Sequence, residues 1–329
     1  MADGLLDVVG IGNAIVDVLS QAEPSLLHEQ DMPLGSMNLI DDARADALYD
    51  LMGPGVEMSG GSAGNTMAGI ASLGGAGAFI GKVHDDTLGQ VFTHDLRAAG
   101  VEFTTAHLSD GPATARCLVF VTPDAQRTMA TYLGACVELG PEDIDVSTIA
   151  RAQVTYLEGY LWDPPRAKEA FRKAIKVTHD AGRKVALTLS DPFCVDRYRG
   201  EFLELLQGDV DIVFANESEI TSLYQVGNFD DALQKVRGHC EIAALTRGER
   251  GSLVIRGDEV HGVDAAEVGE IVDTTGAGDL YAAGFLYGLT HGHGLRRCGE
   301  IGGIAAAEII GHFGARPEHN LADLASRAA

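Results

Sequence analysis

Short runs of apolar residues, many of them β-branched, alternate along this chain with longer segments whose apolar residues recur at helical spacing. The first run, residues 5–12, ends in glycines and predicts a strand. Similar runs predict strands over residues 76–83, 153–158, 184–189, 210–215 and 241–246. The segments between them predict helices over residues 62–73, 87–99, 164–181, 217–224 and 229–238. Buried strands that alternate with amphipathic helices indicate βαβ units around a mainly parallel sheet, an α/β fold.

Three parts of the chain depart from this alternation. Residues 276–289 and 295–313 predict two long helices rich in alanine and glycine, whose small side chains allow close packing. Residues 14–40 lack a long helix, and residues 113–133 predict a strand, a turn at Thr122-Pro123-Asp124 and a second strand. We expect these last two segments to pair into a small, discontinuous β-sheet beside a main α/β body. The predicted boundaries of the main body are residues 1–13, 41–112 and 134–329.

Composition excludes several classes of protein. The chain has 329 residues, 46% hydrophobic and 22% charged, which is typical of a globular protein with a substantial core. Its formal net charge of −24 predicts no nucleic-acid partner and no anionic membrane partner, because both need clustered Lys and Arg. The five cysteines are odd in number and include no Cys-x-x-Cys pair, which favours reduced thiols and a cytoplasmic location. No signal peptide and no membrane span are expected from the apolar pattern.

The strongest candidate site is the segment Asp273-Thr274-Thr275-Gly276-Ala277-Gly278-Asp279, which precedes a predicted helix. Glycines let the backbone lie close to a ligand, and the first N–H groups of a helix have no partner within it. Gly276, Ala277 and Gly278 therefore form a candidate anion site. Asp279 lies at its edge, where a carboxylate could accept a proton from an attacking hydroxyl. The alternative is a helix cap with an acidic first turn that only stabilises the helix.

Two further segments combine glycine with polar residues. Ser59-Gly60-Gly61-Ser62-Ala63-Gly64-Asn65 precedes a predicted helix, where the alternative to a ligand site is a plain glycine turn. Gly12-Asn13-Ala14-Ile15-Val16-Asp17 places two polar residues among apolar ones near the end of the first strand. Such strand ends border the ligand crevice in open α/β sheets. The candidate ligand-binding residues of the two segments are Asn13, Asp17, Gly61, Ser62 and Asn65.

Together these three features resemble the PfkB, or ribokinase-like, carbohydrate kinase family. The family's marks are a Gly-Gly motif in the N-terminal third and an Asp-Thr-x-Gly-Ala-Gly-Asp motif near the C-terminus, which residues 273–279 match without a departure. Asn216-Glu217-Ser218-Glu219 resembles the family's Asn-x-x-Glu motif, and residues 246–251 resemble its nucleotide-side strand-end motif. The resemblance covers essentially the whole chain. It implies a ribokinase-like fold in which residues 14–40 and 113–133 form a lid over a nucleotide- and substrate-binding domain.

The resemblance also implies an ATP-dependent kinase. Asp279 would be the catalytic base, and the amides of Gly276, Ala277 and Gly278 would surround the transferred phosphoryl group. The residues expected to contact ATP are Asn216, Glu219, Thr246, Gly248 and the lid residue Arg127. Mg²⁺ would be held near Glu219, mainly through water, and Asp273 is the expected position of a monovalent cation such as K⁺ where one is used.

Within the family the chain resembles the adenosine kinases. Residues 12–17 resemble their Gly-Asn-Pro-Leu-Leu-Asp segment, with Ala14 in place of the proline, and residues 188–193 resemble their Asn-Leu-Ser-Ala-Pro-Phe. Phosphorylation of the 5′-hydroxyl of a purine nucleoside, adenosine first, is the implied reaction. The implied nucleoside contacts are Asn13, Asp17, Gly61, Ser62, Asn65, Leu133, Tyr160 and Leu161. The family's aromatic base-stacking pair is only half retained, as Tyr160-Leu161.

Two other functions stay open at this point. A PfkB kinase of a free sugar or sugar acid would share the catalytic end and differ in the pocket around Tyr160, Leu133 and the lid. A non-catalytic nucleoside-binding regulator would need no base, so the intact Asp279 argues against it. The expected partners are a small-molecule nucleoside and ATP, and both a monomer and a dimer are compatible with the sequence.

Overall fold

The computed structural model describes residues 4–123 and 126–327. Within these ranges the strands are β1 (Leu6–Ile11), β2 (Ile15–Gln21), β3 (Met37–Leu39), β4 (Gly55–Ser59), β5 (Gly77–Ile80), β6 (Glu102–Phe103), β7 (Ala115–Val121), β8 (Arg127–Tyr132), β9 (Ala152–Glu158), β10 (Lys184–Thr188), β11 (Ile212–Asn216), β12 (Ile242–Thr246), β13 (Ser252–Arg256) and β14 (Glu259–Val263). The α-helices of the same ranges are α1 (Pro24–Glu29), α2 (Asp42–Tyr49), α3 (Ser62–Ser72), α4 (Thr87–Ala98), α5 (Val146–Arg151), α6 (Pro165–Asp180), α7 (Pro192–Gly208), α8 (Glu217–Tyr224), α9 (Phe229–Val236), α10 (Ala277–Thr290), α11 (Leu295–Ile309) and α12 (Leu321–Arg327). Among these described helices, none combines the length and the apolar character needed to cross a membrane.

The central sheet has nine strands in the order β14-β13-β12-β11-β10-β9-β1-β5-β6. Every neighbouring pair from β6 to β12 is parallel, and β13 and β14 add an antiparallel edge. Successive residues of a strand point to opposite faces, so Val8 packs in one apolar layer and Val9 and Ile11 pack in the other. Helices cover both layers, which confirms the predicted α/β fold class.

A second sheet has five strands in the order β3-β8-β7-β2-β4. Four of these strands come from the two segments that the sequence set apart, residues 14–40 and 113–133. The fifth strand, β4, comes from residues 41–112, which the sequence assigned to the main body. β4 pairs antiparallel with β2, with Val16 opposite Ser59. Its apolar residues are few, so the sequence pattern gave no strand signal there.

The helix α2 also lies against this second sheet rather than against the central one. Arg116 of β7 pairs with Asp42 of α2 at 3.4 Å. At the opposite end of β7, the Thr122 N–H donates to the Gln126 carbonyl at 2.9 Å across the predicted turn, of which Asp124 lies outside the described residues. The division of the chain into a main domain and a lid stays a prediction.

The two Ala/Gly-rich helices, α10 and α11, pack backbone to backbone. A Cβ on Gly284 would lie 2.6 Å from the Ile301 carbonyl oxygen, and one on Gly302 would lie 2.7 Å from the Tyr281 carbonyl oxygen. Glycine is therefore required at this crossing for steric reasons. The contact fixes α10 against α11, and α10 begins at the strongest candidate motif.

Candidate active site

The carboxyl ends of the parallel strands bring several polar residues to one edge of the central sheet. Asn13 follows β1, Glu158 ends β9, Asn216 ends β11 and Thr246 ends β12. Asn216 and Thr246 are partners in the register of β11 and β12. In open α/β sheets this edge borders the ligand crevice, so the sequence motifs meet where a ligand is expected.

Asp279 joins the C-terminal motif to the Gly-Gly motif. It lies in the first turn of α10, after Gly276, whose φ of +79° suits glycine. The Ser62 hydroxyl donates to Oδ1 of Asp279 at 2.6 Å, and the Asn65 amide donates to Oδ2 at 3.0 Å. Burial raises the pKa of Asp279, while these two hydrogen bonds and the positive charge of Arg316 act to lower it. The carboxylate is thus held in one orientation by α3.

The glycine turn before α3 packs directly on the third motif. Gly61 has a φ of +81°, and a Cβ there would overlap the Asn13 carbonyl oxygen. A Cβ on Gly60 would overlap the carboxylate of Asp17. Both glycines are therefore required by close approach, which favours a built site over a plain turn.

Asp17, on β2, shares the site with Asp279. Burial raises the pKa of Asp17 to about 6, the charges of Arg316 and Arg127 act to lower it, and the like charge of Asp279 raises it further. The two carboxylates therefore oppose each other's ionisation. The structure brings together five predicted residues from three motifs, namely Asp17, Gly61, Ser62, Asn65 and Asp279.

Glu158 is a site residue that the sequence reasoning missed. It is 1% exposed, and its Oε1 accepts from the Asn13 side-chain amide at 2.7 Å and from the Asn13 N–H at 3.3 Å. Its Oε2 accepts from the Ala63 N–H at 2.8 Å. Burial outweighs these donors and raises the pKa of Glu158 to about 7. A charged residue at the end of an apolar strand run was the available signal.

Arg316 is the second missed residue, and it lies between α11 and α12. Its Nε donates to the Ser59 carbonyl at 2.9 Å, its Nη2 donates to the Ser59 hydroxyl at 3.0 Å, and its Nη1 donates to the Gly64 carbonyl at 2.5 Å. Burial lowers the pKa of Arg316 to about 10, against the charges of Asp17 and Asp279. No local pattern in the sequence marks this arginine.

Asp273, in the loop before α10, and Arg127, on β8 of the second sheet, form an ion pair. Nη2 of Arg127 lies 2.7 Å from Oδ2 of Asp273. The Thr275 N–H donates to Oδ1 of Asp273 at 3.1 Å, and the Gly314 N–H donates to Oδ2 at 3.3 Å. The structure thus places the predicted lid residue against the candidate anion site.

Asn216 and Glu219 form a capping box at the start of α8. The Asn216 N–H and side-chain amide donate to the two oxygens of Glu219 at 2.9 and 2.5 Å, and Oδ1 of Asn216 accepts from the Glu219 N–H at 2.9 Å. Burial raises the pKa of Glu219 to about 7. Gly248, with a φ of +58°, turns the chain after Thr246. Nowhere in residues 4–123 and 126–327 do three His, Cys, Asp or Glu side chains cluster as a metal site.

The three residues expected around a base have different surroundings. Tyr160 is 38% exposed, and its hydroxyl donates to the Ser190 carbonyl at 3.3 Å. Ser190 has a φ of +73°, a strained conformation for a residue other than glycine. Leu133 lines a cavity of about 230 Å³ with Leu39 and other residues of the second sheet. Leu161 is 1% exposed and packs inside the apolar core, and its contact with a base stays a prediction.

Comparison with known proteins places the chain in a class. The model of the pfkB family carbohydrate kinases matches residues 41–320. The chain therefore belongs to the PfkB family of carbohydrate kinases, and it is a phosphotransferase that acts on hydroxyl groups.

Individual relatives narrow the class. The crystal structure of adenosine kinase from Sinorhizobium meliloti is 55% identical, covers 99% of this chain and 100% of its own, and superposes with a TM-score of 0.93. The crystal structure of a probable sugar kinase protein from Rhizobium etli CFN 42 is 52% identical, covers 99% of each chain and has a TM-score of 0.93. The adenosine kinase of Saccharomyces cerevisiae is 25% identical over an alignment of 336 positions, gaps included, which covers 93% of this chain and 95% of that protein. The predicted family, the ribokinase-like fold, the kinase activity and the similarity to adenosine kinases are confirmed.

Proposed function

We propose that this chain is an ATP-dependent kinase that transfers the γ-phosphoryl group of ATP to the 5′-hydroxyl of a purine nucleoside, adenosine, giving AMP and ADP. One observation carries the proposal: Ser62 and Asn65 fix the carboxylate of Asp279 in the first turn of α10. The 5′-oxygen forms a bond to the γ-phosphorus as the bond to the ADP oxygen breaks. The hydroxyl proton passes to Asp279.

The helix start suits a transferred phosphoryl group. The N–H groups of Gly276, Ala277 and Gly278 lie at the start of α10 and would bind the charge on that group. The Ala277 N–H donates to the Thr274 carbonyl at 3.3 Å and would exchange this partner for the ligand. Gly278 is exposed, and apart from its chain neighbours and the backbone of its own helix, no atom of the described residues lies within 4 Å of the position that its Cβ would take. The raised pKa of Asp279 makes its carboxylate a stronger proton acceptor.

The sugar site is proposed at the meeting of β2 and the glycine turn. The carboxylate of Asp17 can accept hydrogen bonds from both hydroxyls of a ribose diol. Oδ1 of Asn65 is buried and has no hydrogen-bond partner within the described residues, so it can accept one more. Asn13 and Gly61 would complete the sugar site, and the exposed ring of Tyr160 would contact the base, with Leu133 on the side of the second sheet.

ATP would lie across the ends of β11 and β12, against Asn216, Thr246 and Gly248, with Arg127 reaching it from the second sheet. Mg²⁺ would neutralise charge on the phosphate oxygens. Each oxygen of Glu219 accepts one hydrogen bond from Asn216 and keeps a lone pair, which fits a magnesium ion held through water. A monovalent cation at Asp273 stays a prediction, and it requires Arg127 to leave that carboxylate.

The reaction returns a nucleoside to the nucleotide pool, so we propose a role in purine salvage. A cytoplasmic location is proposed because the reaction consumes ATP and because all five cysteines are free thiols. The second sheet is proposed to act as a lid that excludes water from ATP. Both a monomer and a dimer are compatible with this function.

A panel of acceptors tests the proposal. ADP formation from ATP and Mg²⁺ is measured with adenosine, other nucleosides, ribose, fructose and a sugar acid. Adenosine is expected to have the highest kcat/KM, with AMP as the product identified by mass. A sugar or sugar acid that outcompetes adenosine would show the second candidate, a sugar kinase, which the 52% identity to the probable sugar kinase from Rhizobium etli favours. Nucleoside binding without ADP formation from any acceptor would indicate a regulator.

A further inference from the structure

The guanidinium of Arg316 bridges the two ends of the glycine turn. It holds Ser59, the last residue of β4, through both the backbone and the hydroxyl, and Gly64, in the first turn of α3, through the carbonyl. Ser62, which binds Asp279, lies between these two anchoring points. A planar fork with several donors suits this bridge, whereas a single ammonium could not span it in the same way.

The segment that carries Arg316 also contacts the phosphoryl-transfer motif. The Gly314 N–H donates to Asp273 at 3.3 Å, and the Cβ of Ala315 would lie 2.8 Å from a Cβ placed on Gly276. Three consecutive residues thus touch the start of α10 and the turn before α3. Movement of one motif relative to the other is opposed by this segment.

Arg316 is also the cation that acts on both site carboxylates. The other charged or titratable groups that interact electrostatically with Asp17, Asp279 or Arg316 are Arg127, Asp95, Glu158, Glu219, Tyr156, Tyr160 and Cys117. Arg127 acts on Asp17 and is paired with Asp273. Both Asp17 and Asp279 experience Arg316 as a charge that favours their ionised form.

We infer that Arg316 is a positioning residue of the phosphoryl-transfer site, which braces the glycine turn and balances the charge of Asp17 and Asp279. The inference rests on the proposed role of Asp279 as proton acceptor. The brace sets the distance between Ser62 and Asp279, and the charge lets both carboxylates act as acceptors at the same pH. Neither role requires contact with substrate.

Two substitutions separate the brace from the charge. Arg316→Met removes both, and Arg316→Lys keeps the charge while losing the fork. Because a nearby positive charge lowers a carboxyl pKa, its removal raises that pKa, and the acid limb of kcat should move about one pH unit upward in Arg316→Met. At neutral pH its kcat/KM should fall at least about tenfold. Arg316→Lys should keep the acid limb of kcat near its wild-type pH. Because the fork is lost, its turnover should be lower at every pH.

Arg97→Met is the matched control. Arg97 also holds a backbone carbonyl, since its Nε and Nη2 donate to the Phe103 oxygen at 3.0 and 2.7 Å, but it lies on α4 outside the proposed site. The Arg97→Met variant should be less stable than wild type, and the acid limb of its kcat should not move. An acid limb that moves equally in Arg97→Met and Arg316→Met would overturn the inference.

Carboxyl titration supplies a readout that does not depend on activity. The titration of carbon-13 labelled aspartate is followed by NMR in wild type, in Arg316→Lys and, where it folds, in Arg316→Met. Asp279→Asn and Asp17→Asn serve to assign the signals. The Asp279 titration should move upward in Arg316→Met and stay near wild type in Arg316→Lys. If wild type phosphorylates no acceptor, the proposed function fails, and the titrations still decide on Arg316. Two results would show that the role of Arg316 is structural only. In the first, the pKa values of Asp17 and Asp279 do not change when the charge of Arg316 is lost. In the second, they change as much in Arg316→Lys as in Arg316→Met.

Discussion

Nη2 of Arg127 lies 2.7 Å from Oδ2 of Asp273, and the two side chains are 10% and 6% exposed. This ion pair joins β8 of the second sheet to the loop that precedes α10. The ring of Phe313 lies 5.4 Å from the same guanidinium and covers it. Because Asp273 already neutralises Arg127, the guanidinium must leave this carboxylate in order to reach a phosphate.

The pair predicts a coupled effect on stability. Arg127→Met and Asp273→Asn should each lower the free energy of unfolding by about 3 kcal/mol, because each leaves a buried partner unpaired. The double variant should lose clearly less than the sum of the two. Urea unfolding of the four proteins measures this coupling. Additive losses would show that the pair contributes no interaction energy.

Asp279→Asn tests the proton acceptor. The amide keeps the size of the carboxylate and removes the acceptor, so turnover should fall by roughly 10²–10⁴-fold while the nucleoside still binds. Single-turnover kinetics and calorimetric titration with adenosine separate the two quantities. Asp145→Asn, which changes the cap of α5, should leave turnover intact. Near wild-type turnover of Asp279→Asn with saturating substrates would make Asp279 a structural residue.

Two glycine variants distinguish ligand approach from folding. Gly278→Val adds a side chain into open space beside the helix start, so the protein should fold and lose ATP use far more than nucleoside affinity. Gly276→Ala meets Ala315 at 2.8 Å and requires a φ of +79°, so it should lower the melting temperature instead. Thermal unfolding and the KM for ATP check both. A Gly278→Val protein that unfolds would favour the helix-cap alternative.

Discrimination against 2′-deoxyadenosine tests Asp17. Loss of a hydrogen bond to a charged group costs about 1.5–3 kcal/mol, so adenosine should be preferred by at least about tenfold in kcat/KM. Asp17→Ala should remove most of that preference and leave measurable turnover. Competition kinetics with both nucleosides provide the measurement. If Asp17→Ala discriminates against 2′-deoxyadenosine as strongly as wild type does, residues other than Asp17 bind the diol.

Glu158 predicts a pH-dependent stability. Its pKa rises from the ordinary 4.5 to about 7 on folding, so the folded state binds the proton more tightly. The associated stabilisation is full below pH 4.5 and is lost as the pH rises through about 7, a total on the order of 3 kcal/mol. Glu158→Gln lacks this titration. The free energy of unfolding of wild type relative to the variant should therefore fall from about pH 5 to about pH 8. Urea unfolding at both pH values checks this, with the exposed Glu29→Gln as control.

The sequence predicted the fold and the motifs where the signal is local. Residues 273–279 and 59–65 are recognisable in the sequence by their glycine spacing, and in the structure they are joined by the hydrogen bonds of Asp279. β4 was missed because a short, exposed strand has too few apolar residues to show a period. Arg316 was missed for a different reason. Its partners are Ser59 and Gly64, far away along the chain, and no neighbouring residue reflects such contacts.

The position of residues 314–316 has a consequence for biosynthesis. Residues 12–17 and 59–65 leave the ribosome well before the segment that braces them, because Arg316 follows Ser59 by 257 residues. A nascent chain therefore carries the glycine-rich motifs before the contacts of residues 314–316 can form, both those to the turn before α3 and those to the start of α10. Only a chain synthesised past Arg316 can assemble the site, so chains truncated before Gly314 should not consume ATP.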